Sequence, residues 1–108
     1  MECDKKLAER VRASAGIIPL IEKNLFGGVG YMLHGNMACG ILDDALIVRV
    51  GKENYEAVLA CPHTRIFESR GRKMGGWVMV DPPGTADNQA LAEWIDAGVE
   101  FALTLPPK

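Results

Sequence analysis

Three apolar runs separated by two-residue polar turns occupy residues 25–50, and they restrict the possible folds more than any other feature of the sequence. The runs are residues 25–33, 37–42 and 45–50, and the turns fall at Gly35-Asn36 and Asp43-Asp44. A two-residue turn can join antiparallel neighbours, whereas parallel strands need a crossover of about a dozen residues. The segment is therefore predicted to be an antiparallel meander of three strands.

The third run alternates in a way that assigns each side chain to a face of the sheet. Leu46, Val48 and Val50 are predicted to fill one face, because side chains two residues apart point the same way. Ile47 and Arg49 then share the other face. The charged side chain of Arg49 is therefore predicted to lie on a face of the sheet.

Apolar residues at helical spacing predict three helices, at residues 4–15, at residues 52–60, and from an N-cap at Asp87 onward. Gly16 ends the first helix. Gly98 lies inside the last helix, where glycine costs about 1 kcal/mol relative to alanine. Another element is therefore expected to approach the last helix closely at that residue.

Residues 17–21 follow the first helix and are predicted to form an extended apolar linker, because proline at position 19 cannot continue a helix. Such a linker must be covered by the core or by a partner. Two further strands are predicted at residues 64–69 and 76–81, on either side of the basic stretch at residues 70–73. Residues 81–84 are predicted to be a rigid proline turn.

The predicted order is α-β-β-β-α-β-β-α, which defines a two-layer α+β fold with a mainly antiparallel five-stranded sheet and helices on one face. A chain of 108 residues that is 48% hydrophobic can bury one core, so residues 1–108 are predicted to be a single domain. Val29, Tyr31 and Leu33, or their alternates, are too apolar for an open sheet face. A homodimer that covers part of the sheet or an edge strand is therefore expected.

Charge and cysteine content indicate a cytoplasmic protein. The apolar runs are far shorter than the roughly 18 residues that span a bilayer, so no membrane contact is expected. Cys3, Cys39 and Cys61 are an odd set with no close pair, which predicts free thiols in a reducing compartment. The net charge of −2 gives no general attraction to nucleic acid.

Gly27, Gly28 and Gly30 form a cluster that could act as a ligand loop, because glycines allow backbone N–H groups to approach an anion. Their spacing matches neither of the two common phosphate-binding motifs, and a strand follows them instead of a helix. A bulge or a close-packed strand start is the favoured interpretation, and a ligand loop is the alternative.

Metal-binding and catalytic groupings are sparse. A zinc site needs three or four ligands, whereas the sequence offers Cys61 with His63, and Cys39 with His34. No metal or other cofactor is therefore expected. Serine and cysteine nucleophiles lack an identifiable base and third group, so an enzyme is not expected.

The basic stretch before the last predicted strand is the leading candidate for contact with a partner or with nucleic acid. Arg65, Arg70, Arg72 and Lys73 could grip phosphates while Trp77 stacks a base. The alternative is a solvated hairpin whose charges serve solubility, with Trp77 packed inward.

Several short motifs occur along the chain in a fixed order. They are Leu25-Phe26-Gly27-Gly28-Val29-Gly30, Gly35-Asn36-Met37-Ala38-Cys39-Gly40, Leu46-Ile47-Val48-Arg49-Val50-Gly51, Gly71-Arg72-Lys73-Met74-Gly75-Gly76-Trp77-Val78 with Asp81-Pro82, and Leu105-Pro106-Pro107-Lys108. These motifs give the chain a resemblance to the TfoX N-terminal domain family of bacterial competence regulators, also called Sxy. The resemblance implies a fold similar to type III secretion chaperones, a tendency to dimerise, and no catalytic residues. Full-length relatives act in transcriptional control of competence with the cyclic-AMP receptor protein and carry a second, helical domain, which this chain is expected to lack.

Together these features predict a non-enzymatic regulatory or adaptor domain that acts through protein–protein contact, as a homodimer with a further protein partner. The alternative is a nucleic-acid-associated transcription regulator that uses the basic hairpin. A small-molecule sensor at the glycine cluster is a third, more distant hypothesis.

Overall fold

The computed structural model describes residues 4–25 and 27–108, with the backbone alone at Leu25. The elements in chain order are α1 (Lys5–Ala15), β1 (Ile21–Leu25), β2 (Gly28–Leu33), β3 (Asn36–Leu42), β4 (Ala45–Arg49), α2 (Lys52–Leu59), β5 (Thr64–Ser69), β6 (Arg72–Val80), α3 (Pro82–Thr85) and α4 (Asn88–Leu103). The prediction for Cys3 lies outside the described residues, as does Phe26 of the first family motif.

One antiparallel sheet contains six strands in the order β1-β2-β3-β4-β6-β5, so the prediction of five strands was one too few. The additional strand is β1, which begins at the end of the predicted linker and pairs with β2 from Ile21 opposite Met32 to Leu25 opposite Gly28. Its sequence, Ile-Glu-Lys-Asn-Leu, is largely polar and does not alternate. Pairing with β2 therefore orders a segment that local pattern alone did not reveal.

The turn between β2 and β3 is His34-Gly35, where Gly35-Asn36 was predicted. Both turn residues have positive φ angles, 54° and 84°, as a two-residue turn matched to the twist of the sheet requires. Asn36 instead begins β3 and is buried, and its side-chain amide donates to the carbonyl oxygen of Pro106 at 2.9 Å.

Two boundaries, one in the β5–β6 hairpin and one directly after it, also differ from the prediction. Strand β6 begins at Arg72 instead of Gly76, so the connection to β5 is the tight turn Arg70-Gly71, with φ angles of 54° and 75°. The expected proline turn at residues 81–84 continues into the short helix α3, because proline is well suited to the first turn of a helix.

The main core lies between one face of the sheet and the helices, as predicted. Its strand residues include Tyr31, Leu33, Leu46 and Val48, so the first two are covered by helices and are not on the opposite face. A second cluster occupies the other face, and in the described chain all of its members come from strands. They are Met37, Ala45, Ile47, Phe67 and Met79, with Met32, Leu42, Met74 and Trp77 packed around them.

The alternation predicted for β4 is confirmed, because Ile47 belongs to the second cluster while Leu46 and Val48 belong to the main core. Two other local predictions are also confirmed. Asp87 caps α4 by accepting a hydrogen bond from the backbone N–H of Ala90, and α4 lies so close to β3 that only glycine fits at position 98.

Candidate functional site

The basic residues do not form one patch. Arg70, Arg72 and Lys73 are exposed at the tip of the β5–β6 hairpin. Arg65 lies at the opposite end of β5, where its Nε is 2.9 Å from Oδ1 of Asp81 and its Nη1 is 3.5 Å from the sulfur of Met79. The hairpin tip therefore carries three of the four predicted cations.

Trp77 lies away from the hairpin tip. Strand residues advance about 3.3 Å each, so Trp77 is about 13 Å along β6 from Lys73. The indole is partly buried against the second cluster, and its ring centroid is 6.4 Å from that of Phe67. The structure therefore brings Trp77 together with Arg49 instead of the tip cations, because Arg49 stands opposite it in the sheet.

The glycine cluster is a turn followed by a close-packed strand. Gly27 has a φ of 78° in the turn between β1 and β2. A Cβ on Gly28 would stand 2.0 Å from the carbonyl oxygen of Ile41 on β3, and Gly30 pairs with Gly40 in the same ladder. Close contact between strands thus accounts for the glycine at position 28.

The described cysteines occupy different environments. Cys39 is fully buried, and its burial raises the pKa of the thiol to about 12, whereas Cys61 is exposed. Residues 4–25 and 27–108 hold no group of three histidine, cysteine or carboxylate side chains that could bind a metal ion. Over the same residues, no helix is both long and apolar enough to cross a membrane.

In the segment between α1 and β1, the exposed side chain of Ile17 forms an apolar knob beside a groove. Ile17 is completely exposed and Ile21 is 68% exposed. The adjacent groove, which we call the α1–β1 groove, has a volume of about 350 Å³. It is lined by Val11, Arg12, Ala15, Gly16, Ile18, Leu20, Glu22 and Tyr31. The apolar linker, which was predicted to be covered by the core or by a partner, is therefore only partly covered by the described chain.

An ion pair and a buried phenol border this groove. The guanidinium of Arg12 pairs with Glu22, and both side chains are largely exposed to solvent. The hydroxyl of Tyr31 is buried and has no hydrogen-bond partner of ordinary geometry in the described chain. Burial raises the pKa of Tyr31 above its ordinary value, and the nearby carboxylate of Glu22 raises it further.

A larger cleft, which we call the Arg49 cleft, lies between α2, the end of α4 and strand β6. It has a volume of about 850 Å³ and is lined mainly by apolar surface. The guanidinium carbon of Arg49 is 4.8 Å from the ring centroid of Trp77 and 5.3 Å from that of Phe101. Burial lowers the pKa of Arg49, since the low-dielectric surroundings disfavour its charged form.

Sequence reasoning placed Arg49 on its sheet face but did not identify Phe101 as its neighbour. The available signal was Gly51, directly after the strand. A Cβ at that residue would lie 2.5 Å from Cε1 of Phe101, so the glycine makes room for the ring. No local pattern connects that glycine to a residue on the last helix.

The sheet and the layer of helices packed on one of its faces form a two-layer α+β domain. A family model described as TfoX N-terminal domain matches residues 12–102 of the 108-residue chain. The chain therefore belongs to the TfoX N-terminal domain family, which confirms the resemblance seen in its motifs, and this family is associated with competence regulation. No curated protein matches the chain.

Proposed function

We propose that this chain is a non-enzymatic regulatory domain that acts through protein–protein contact, and that its first partner is a second copy of itself. The single observation that carries the proposal is the complete exposure of Ile17 beside the α1–β1 groove. Membership of a family associated with competence regulation supports a regulatory role.

The knob and the groove lie on the same surface, which suits a symmetric dimer. Under a two-fold axis, Ile17 of each copy enters the groove of the other, where the partly exposed side chains of Ile18 and Leu20 offer apolar contacts. Burying an exposed isoleucine side chain contributes about 2 kcal/mol, and the contact is made twice. The exposed isoleucine therefore favours self-association.

The charges beside the groove are compatible with the same arrangement. Arg12 and Glu22 have opposite signs and lie next to each other. In a two-fold dimer each can face the oppositely charged residue of the second copy without a like-charge contact. The pair of opposite charges at Arg12 and Glu22 therefore favours a self-complementary interface.

Sedimentation equilibrium tests the proposal directly. We expect the wild-type chain to dimerise at concentrations on the order of 100 μM or below. Ile17→Lys should be monomeric, because the lysine ammonium would have to give up its hydration on entering the groove. Leu103→Lys is the matched control, since Leu103 is 56% exposed and lies outside the groove. A monomeric wild type, or a dimeric Ile17→Lys variant, contradicts the proposal.

Nucleic-acid contact at the hairpin tip is a second candidate, which is supported by the exposure of Arg70, Arg72 and Lys73. The test is fluorescence anisotropy of labelled duplex DNA and single-stranded nucleic acid at several salt concentrations. This candidate predicts binding whose logarithmic salt slope becomes about 2.7 units shallower for duplex DNA, or about 2.1 units shallower for a single strand, when all three residues are replaced by alanine. Absence of binding at low salt leaves protein contact as the remaining function.

A further inference from the structure

Arg49 is a cation whose position is fixed by stacking. Its guanidinium lies over Trp77 and Phe101, each contact being within the roughly 6 Å range of a cation–π interaction. In the described chain no carboxylate pairs with it and no oxygen accepts a hydrogen bond from it. Arginine carries five N–H donors, so its hydrogen-bonding capacity is available to a ligand.

The two ring contacts hold the guanidinium in place without using its N–H groups as hydrogen-bond donors. Gly51 allows Phe101 to approach, and Gly76 of β6, with a φ of 88°, lies against Gly51 at the start of α2. Arg49 is therefore ready to receive an anion at little further cost in side-chain entropy.

The start of α2 adds donors to the same cleft. Its N-cap residue, Gly51, makes no side-chain cap, and the first helical residues, Lys52, Glu53 and Asn54, all line the cleft. The first N–H groups of a helix have no acceptor within that helix. These N–H groups therefore belong to residues that line the same cleft as Arg49.

The distribution of charge in the cleft limits the class of ligand. Arg49 is partly buried, while the ammonium of Lys52 and the carboxylates of Glu53 and Glu100 are exposed. A ligand with one anionic group can place it against Arg49, but a polyanion would also meet the two carboxylates. Trp77 and Phe101 meanwhile supply apolar surface for the body of the ligand.

We propose that the Arg49 cleft binds a small organic anion, with one carboxylate or phosphate group held by Arg49 and an apolar body packed between α2 and α4. The volume of about 850 Å³ is in the range of small-molecule sites. This site is separate from the α1–β1 groove, so the domain has one surface for a protein and another for a small molecule.

Titration followed by ¹H–¹⁵N correlation spectra tests the inference on the full chain. The probes are phenylacetate, phenyl phosphate, inorganic phosphate and the neutral benzyl alcohol. We expect saturable shifts of the Trp77 indole N–H and of the Gly51 and Gly76 amides, with a Kd of about 1 mM or tighter for at least one organic anion. Trp94 packs on the main core, and its indole signal should not move.

Substitutions of Arg49 separate binding from packing. Arg49→Met keeps an apolar side chain in the cleft and should remove saturable binding, while Arg49→Lys keeps the charge but loses the planar fork and should weaken binding about tenfold. Arg65→Met is the matched control, because Arg65 is a strand arginine outside the cleft, and its binding should equal that of the wild type.

Several outcomes would overturn the inference. They are the absence of saturable shifts with both organic anions, equal affinity for benzyl alcohol, and unchanged binding by Arg49→Met. Phenylacetate binding without phenyl phosphate binding assigns a carboxylate ligand, and the reverse assigns a phosphate ester. If Arg49→Met fails to fold, the wild-type probes and Arg49→Lys still decide the matter.

Discussion

The carbonyl oxygen of Ala38 lies 2.2 Å from the point where a Cβ would stand on Gly98. This contact fixes the depth at which α4 packs on β3. Alanine at position 98 would gain about 1 kcal/mol in helix propensity, but it would force the helix away from the sheet backbone. The tertiary contact should therefore outweigh the local preference.

Gly98→Ala is expected to lower the free energy of unfolding by about 1–3 kcal/mol, as overpacking against a rigid neighbour does. Urea denaturation measures the change. Gly75→Ala is the matched control, because a Cβ there meets no atom within 4 Å, and its effect should stay within about 0.5 kcal/mol. A Gly98→Ala variant more stable than the wild type would show that the helix shifts freely.

Asn36 attaches the segment after α4 to the β2–β3 turn. Its amide donates to Pro106, and the backbone N–H of Lys108 donates to the carbonyl oxygen of His34 at 2.8 Å. Asn36→Ala should lower the free energy of unfolding by about 1 kcal/mol and accelerate hydrogen exchange at Lys108. Unchanged exchange at that amide would mean that the segment is held independently of Asn36.

Arg70 occupies the left-handed region, with a φ of 54°, at the first residue of the β5–β6 turn. Asparagine adopts this conformation more readily than arginine. Arg70→Asn is therefore expected to raise the free energy of unfolding by about 0.5–1 kcal/mol. Thermal melting should detect the gain, and Gly71→Ala, at a φ of 75°, should change stability in the opposite direction.

Two buried acids should make the protein less stable in alkaline solution. Burial raises the pKa of Cys39 from 9.0 to about 12, and it raises that of Tyr31 above its ordinary 10.0. The unfolded chain ionises both groups at lower pH than the folded protein does. Their contribution to stability is therefore complete below about pH 9 and is lost as the pH rises above it, by up to about 1.4 kcal/mol per pH unit for each group.

Urea denaturation between pH 8 and pH 11 tests this expectation. Tyr31→Phe and Cys39→Ala should each give a shallower decline than the wild type, because each removes one titrating group. The slopes are compared instead of the absolute stabilities, since Cys39→Ala also leaves a small cavity. An identical decline in all three proteins would assign the pH dependence to other groups.

Much of the fold could be predicted from neighbouring residues alone. The alternation in β4 and the spacing in α1 and α4 depend on contacts that repeat every few residues. The strand β1 was missed because it lacks such a local pattern. Its residues Glu22 and Lys23 lie on an edge strand, which pairs with β2 alone. Hydrogen bonding to β2 makes this segment a strand, and the residues of the segment by themselves do not indicate that pairing.

For the candidate sites too, the local sequence identified some residues but not their contacts with residues distant in the chain. The apolar linker at residues 17–21 could be identified from the sequence, but only the structure shows that Ile17 is exposed. The basic residues could be identified too, but not the partner of Arg65, since only the register of β5 against β6 brings Arg65 near Asp81. Pairing with Asp81 then occupies Arg65, at a distance along the chain that no motif spans.

The sequence by itself determined the α+β class, the antiparallel meander, the helix caps and the family. These features follow from local periodicity, turn chemistry and short motifs. Only the tertiary structure decided that Arg49 lies between Trp77 and Phe101, and that the α1–β1 groove opens beside Ile17. Both arrangements depend on how α1, α2 and α4 pack on the sheet, which is set by contacts between residues far apart in the chain.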